Sequence, residues 1–286
     1  MIKPEIVHDI KSEVGEGPLW NSFDKKLYWI DILSGVVYRY NPKGGMVDEA
    51  YRGDVIGGYT IQEDGSLLFF MEEGSIKIWK NNKLVTVVEK VPELKDTRFN
   101  DVITDPAGRV FCGTMPDKKG EAYLYRLDLD GSLTLILDEL GLSNGMGFTP
   151  DKKQMYFTDS KKGEIYIFDY DKENGSLSNK RLFHKVVEEN IEPDGLTVDA
   201  EGYVWSARWN GQCIKRYTPD GHEDLKIFFP AKKITCMTFA GSNYQILYVT
   251  SAMESKTQRK EEKAGSLFRL DLGIKGLPEH LSRIYL

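Results

Sequence analysis

Six positions of the 286-residue chain stand at equivalent places in an internal repeat, and four of them carry groups that could ligate a hard cation or orient a polar substrate: Glu16, Asn100, Asn144 and Asp194. The other two are Gly57 and Cys236. Three of the four polar positions adjoin glycine, in Gly15-Glu16-Gly17, Asn144-Gly145 and Asp194-Gly195, so the backbone there can turn tightly. Two carboxylates that meet in a narrow space repel unless a cation or a proton lies between them. Oxygen donors of this kind, with no histidine or thiolate needed, suit Ca²⁺, Mg²⁺ or Mn²⁺, and carboxylates also accept Zn²⁺. The bland alternative is a set of polar groups that only hydrogen-bond water. Cys236, small and apolar in habit, is expected to be a core residue.

The elements that bring these residues together come from the repeat. An apolar strand follows a polar turn six times, at Leu27, Leu67, Val110, Met155, Val204 and Leu247, with steps of 40, 43, 45, 49 and 43 residues. A second strand follows in each unit, as in Tyr38-Arg39-Tyr40, Tyr125-Arg126-Leu127 and Phe268-Arg269-Leu270. Six units of this length, each about four antiparallel strands, predict an all-β, six-bladed β-propeller, one domain over residues 1–286. The first strand of each blade lines the central channel. Counting back 10 or 11 residues from each apolar landmark gives the six positions above, so their side chains should converge on one axis. Residues near Glu5 to Ile10 are expected to close the ring as the outer strand of the last blade, with Leu281 to Leu286 as the competitor.

Composition narrows the function classes. A net charge of −6 and the lack of a basic block argue against nucleic acid. The mixed-sign run from Lys256 to Lys263 reads as a solvated loop. No apolar stretch reaches membrane-spanning length, and the start lacks a signal-peptide core, so a cytoplasmic protein with no membrane or obligate protein partner is expected. Three scattered cysteines, Cys112, Cys213 and Cys236, fit a reducing compartment.

Other motifs carry less. Gly141-Leu142-Ser143-Asn144-Gly145 matches a nucleophile elbow in letters, but strand rather than helix is expected after it. Asp169-Tyr170-Asp171 with Gly175 reads as a hairpin turn, not a calcium loop. His8, His184, His222 and His280 share no spacing and read as surface residues.

Taken in order, Gly15-Glu16-Gly17-Pro18-Leu19-Trp20, Arg98-Phe99-Asn100-Asp101, Asp105-Pro106-Ala107-Gly108-Arg109, Gly113-Thr114-Met115, Ser143-Asn144-Gly145 and Pro193-Asp194-Gly195-Leu196 resemble the gluconolactonase, regucalcin and luciferin-regenerating enzyme family over essentially the whole chain. The resemblance implies one divalent metal in the channel, calcium first and Zn²⁺, Mg²⁺ or Mn²⁺ as alternatives, held by Glu16, Asn144 and Asp194. It implies that Arg98 and Asn100 bind substrate. Regucalcin-like members carry a substrate-contacting glutamate soon after Gly-Thr-Met. Here the stretch is Met115-Pro116-Asp117-Lys118-Lys119-Gly120-Glu121, so Asp117 or Glu121 is expected to take that place. The implied activity is metal-assisted opening of a lactone, a sugar lactone above all. Asp194 is the expected catalytic base, with a hydroxide on the cation as the alternative. A calcium-binding regulatory protein without turnover, or an esterase or organophosphate hydrolase at the same site, are the competing readings.

Overall fold

The computed structural model describes residues 3–253 and 263–285; of the charged run from Lys256, only Lys263 lies within them. After β1 (Glu5–His8), four strands build each of five sheets. Blade 1 is β2 (Gly15–Asn21), β3 (Lys26–Asp31), β4 (Val36–Asn41) and β5 (Met46–Arg52). Blade 2 is β6 (Ile56–Ile61), β7 (Leu67–Met71), β8 (Ile76–Lys80) and β9 (Lys83–Val88). Blade 3 is β10 (Phe99–Thr104), β11 (Val110–Thr114), β12 (Ala122–Leu127) and β13 (Leu133–Leu140). Blade 4 is β14 (Ser143–Phe148), β15 (Gln154–Asp159), β16 (Glu164–Tyr170) and β17 (Leu177–Lys185). Blade 5 is β18 (Glu192–Val198), β19 (Val204–Trp209), β20 (Cys213–Tyr217) and β21 (Glu223–Phe228). Blade 6 takes β22 (Lys233–Ala240), β23 (Ile246–Ala252) and β24 (Leu267–Asp271), and its fourth strand is β1.

Each sheet is an antiparallel meander, and the six apolar landmarks are the second strands of the blades. Those strands read as continuous apolar runs because both faces are covered. Six apolar clusters fill the six seams between neighbouring blades, for example Trp20, Trp29 and Tyr248 between blades 6 and 1, and Trp205, Phe239 and Phe268 between blades 5 and 6. The outermost strands, such as β9 and β17, are mostly exposed, and β17 is largely polar. The inner strands β2, β6, β10, β14, β18 and β22 touch in a closed circle.

Closure falls to the amino terminus. β1 pairs antiparallel with β24, Glu5 opposite Arg269 and Ile6 opposite Phe268, and removes what would be an open edge. The carboxy-terminal residues do something else. Gly276 bonds to Tyr244 in blade 6, Ser282 to Ile61 in blade 2, and Arg283 to Gly108 in blade 3. This strap crosses the end of the channel remote from the strand starts. Among the described residues, no helix is long and apolar enough to cross a membrane.

Candidate metal centre in the propeller channel

In every blade the pairing of the innermost strand with the second is broken at the same place. The breaks fall after Glu16, Ile56, Phe99, Ser143, Pro193 and Ile234. A bulge frees residues from the ladder and re-aims their side chains. Glu16, Asn100, Asn144, Asp194 and Cys236 all sit at these breaks, so local backbone geometry turns them toward the axis. Blade 2 contributes Gly57, where a Cβ would lie 1.9 Å from the carbonyl oxygen of Phe99. No side chain fits there, which leaves room for neighbours to meet. At Gly145 a Cβ would lie 2.6 Å from the carbonyl of Asp194, so blades 4 and 5 approach backbone to backbone.

The structure brings Glu16, Asn100, Asn144 and Asp194 together, and each is buried. Asn144 Nδ2 donates to Asp194 Oδ1 at 2.6 Å and to Ser160 Oγ at 3.0 Å. Asn144 Oδ1 accepts the Gly145 N–H. Asn100 Nδ2 donates to the Ser143 carbonyl, and its Oδ1 accepts from Arg98 Nη1 at 3.0 Å. Arg98 also donates to the Phe99 carbonyl, which fixes the guanidinium beside the ring.

Asp101 belongs to the same group and was not singled out from the sequence as a site residue. Its carboxylate, that of Glu16 and the Cys236 sulfur offer ligand atoms that all lie within 4.8 Å of one another. The count through the repeat returns one position per strand, whereas the bulge after Phe99 releases two, Asn100 and Asp101. An acidic residue directly after a ring position was the available signal. Cys236, expected in the core, instead lines the channel.

Electrostatics separates these carboxylates from the rest of the interior. Buried Asp31 accepts the N–H groups of Glu13 and Val14, Asp159 those of Gly141 and Leu142, and Asp105 and Asp199 pair with Arg109 and Arg216. Glu16 accepts only the N–H of its neighbour Gly17, and Asp101 accepts no hydrogen bond among the described residues. Burial and mutual repulsion hold the Glu16 and Asp194 carboxyls well above the usual carboxylate range. Burial pushes Asp101 up to about 7, against the opposing pull of Arg98. Burial lowers Arg98 to about 10. Three carboxyls, Glu16 and Asp194 buried and Asp101 half-buried, crowd together with too few donors to satisfy them and one guanidinium near Glu16 and Asp101, and this donor set fits a divalent cation.

Asp117 and Glu121 lie in the turn after β11. This turn is tied to the Arg98 strand by the Met115 N–H on the Arg98 carbonyl. The Asp117 carboxylate accepts the N–H groups of Lys119 and Glu121, and Glu121 accepts from the Tyr123 hydroxyl. Neither shares a hydrogen bond with the ring residues among the described residues. Ser143 is fully buried at the head of β14, and strand follows it, so no nucleophile elbow forms. Two histidines depart from the surface expectation: His184 lies tilted against Tyr217 with ring centroids 4.2 Å apart, and His280 packs edge-on against Phe148.

Below the ring is a cavity of about 360 Å³, with Asp101 and Cys236 at its upper rim and Leu277 to His280 of the strap at its far end.

Comparison with known proteins agrees with this geometry. The sequence model of the family described as SMP-30/gluconolactonase/LRE-like region matches residues 14–253. The pentonolactonase XacC of Haloferax volcanii is 42% identical over 98% of both chains. Regucalcin of Danio rerio is 36% identical, again over 98% of both chains. A luciferin-regenerating enzyme structure superposes with a TM-score of 0.90 and 26% identity, covering 99% of this chain and 100% of the other. The Agrobacterium tumefaciens regucalcin structure, described as a calcium-binding protein, gives a TM-score of 0.92 at 24% identity, over 99% of this chain and 98% of that one.

Proposed function

Because the chain belongs to the SMP-30/gluconolactonase/LRE-like family, we propose that it is a divalent-metal-dependent lactonase that opens sugar lactones, five-carbon aldonolactones first among them. The observation that carries the proposal is the crowding, at the axis of the propeller, of the buried carboxyls of Glu16 and Asp194 with the half-buried one of Asp101, close enough to repel one another and short of donors. The high identity to a pentonolactonase supports the substrate class.

Glu16, Asn144 and Asp194 would hold the cation, which when bound polarises the lactone carbonyl and lowers the cost of the charge that develops on its oxygen. The chain's own residues do the rest. Arg98 offers forked N–H donors to substrate oxygens from a position fixed by Phe99 and Asn100. Asn100, anchored on the Ser143 carbonyl, orients a ring hydroxyl. Asp194 accepts the proton of the attacking water. Burial raises its basicity and a nearby cation lowers it, so it works between those two influences. The water oxygen joins the carbonyl carbon, the bond from that carbon to the ring oxygen breaks, and the ring oxygen takes a proton to become a hydroxyl. The acid product then ionises and releases one proton to the medium.

That proton is the assay. Protein stripped with a chelator is given pentonolactone or glucono-δ-lactone with Ca²⁺, Zn²⁺, Mg²⁺ or Mn²⁺ in turn. Activity above the spontaneous rate is expected only with metal, and Asp194→Ala should lower kcat/KM by roughly a thousandfold or more. Metal binding without turnover of any lactone would sink the enzyme reading and leave a cation-binding protein.

A further inference from the structure

The donor set at the axis is not made of oxygen alone. Cys236 leaves β22 at the bulge after Ile234, and its sulfur stands with the carboxylates of Glu16 and Asp101, all three ligand atoms within 4.8 Å of one another. These residues come from blades 6, 1 and 3, and the glycine at the ring position of blade 2 lets them approach. On the other side the sulfur is fitted against blade 5: a Cβ on Gly195 would lie 2.5 Å from it. Gly195 therefore makes room for the sulfur next to Asp194. The other two cysteines are placed differently. Cys112 is buried and its sulfur contacts the Tyr125 carbonyl, and Cys213 is buried in blade 5.

We propose that Cys236 is an added sulfur donor to the cation that Glu16, Asn144 and Asp194 would hold, reaching it beside Glu16 and Asp101, and that it biases the site toward zinc over calcium. The inference rests on the metal-dependent reading above. A thiolate favours a borderline-soft ion, and calcium takes oxygen donors only, so one sulfur in the set moves selectivity without changing the fold. On binding, the S–H bond breaks heterolytically, the electron pair stays on sulfur as the donor, and the proton passes to buffer.

The test uses the whole chain, stripped of metal and titrated with cobalt(II). A sulfur donor produces a thiolate-to-cobalt charge-transfer band in the near ultraviolet. The wild type should show it, and Cys236→Ser should lose it while still binding one cobalt, seen by its visible bands and by calorimetry. Zinc affinity of Cys236→Ser should fall by roughly tenfold to a hundredfold, and calcium affinity should stay within about twofold. Cys236→Ala, with the same loss, guards against a hydroxyl that ligates in place of sulfur. If cobalt binds the wild type without the charge-transfer band, or zinc affinity is unmoved in both variants, the sulfur donor is overturned and an oxygen-only site remains. If cobalt, zinc and calcium all fail to bind, the metal reading itself falls and this inference falls with it.

Discussion

Arg98 is a cation beside the Glu16 and Asp101 carboxyls, yet it is not spent on them. Among the described residues it forms no ion pair with Glu16, Asp101 or Asp194; its hydrogen bonds go to the Phe99 carbonyl and the Asn100 side-chain oxygen. A guanidinium held in this way keeps further N–H groups for an incoming ligand. Lysine would keep the charge but lose the fork and the hold on Asn100. Arg98→Lys should therefore raise KM for a lactone by about tenfold and lower kcat less, since it removes ground-state positioning more than charge at the reacting carbon. Steady-state kinetics on the metal-loaded protein checks this, and an unchanged KM with a collapsed kcat would place Arg98 in the chemical step instead. Asp117 and Glu121 are a different case. Their carboxylates already serve their own turn and Tyr123, and substituting them should affect that turn before it affects substrate.

At the scale of the strand, the site depends on six breaks in pairing more than on any single residue. Regular pairing would send alternate side chains to the two faces of the blade and none along the axis. The bulges change that, and close backbone contact between blades keeps them in place. Gly145→Ala puts a methyl group 2.3 Å from the Leu196 nitrogen and 2.6 Å from the Asp194 oxygen, so blades 4 and 5 must part. A loss of about 1–3 kcal/mol in unfolding free energy is expected, with cation affinity down by at least tenfold because Asn144 and Asp194 move apart. Thermal unfolding and calorimetry would show both; a stable variant with native affinity would mean the seam is softer than it looks. The same bulges mark what was legible in the chain. The period, the apolar second strands and the ring positions Glu16, Asn100, Asn144 and Asp194 follow from spacing, and the closing strand near Glu5 from the need to cover an open edge. Asp101 does not, because a period assigns one place per strand and the bulge after Phe99 releases two; Cys236 stands at a ring position by spacing, but its small apolar character pointed to the core and not to the channel. The course of the strap from Gly276 to Arg283 was illegible too, since it meets blades 6, 5, 2 and 3 through isolated bridges and short runs of hydrogen bonds and leaves no periodic trace.

The molecule as a whole is a ring with an acidic axis, and both ends of that axis disfavour ionisation. At one end stand Glu16, Asp101 and Asp194. At the other the strap places Glu279 in the cavity floor, where burial alone pushes its carboxyl up to about 7. The groups near it are Tyr59, whose hydroxyl has no partner, Tyr244, and the adjacent His280, held neutral by burial down to about 4. A carboxyl whose pKa rises on folding binds its proton more tightly in the native state. Its contribution is fully present below the unfolded value near 4 and is lost as pH climbs through the folded value. Metal-free protein should therefore lose stability steadily between about pH 4 and pH 7.5. A saturating divalent cation should restore the part that belongs to the ring and leave the part that belongs to Glu279. Glu279→Gln should remove that remainder, on the order of 3 kcal/mol at most, so that at pH 8 the variant melts several degrees above the wild type and at pH 4 the two coincide. Melting curves across this range, with and without metal, separate the two ends of the channel. If Glu279→Gln ran parallel to the wild type at every pH, Glu279 would already be ionised in the native protein, and the cavity floor would hold water enough to solvate it.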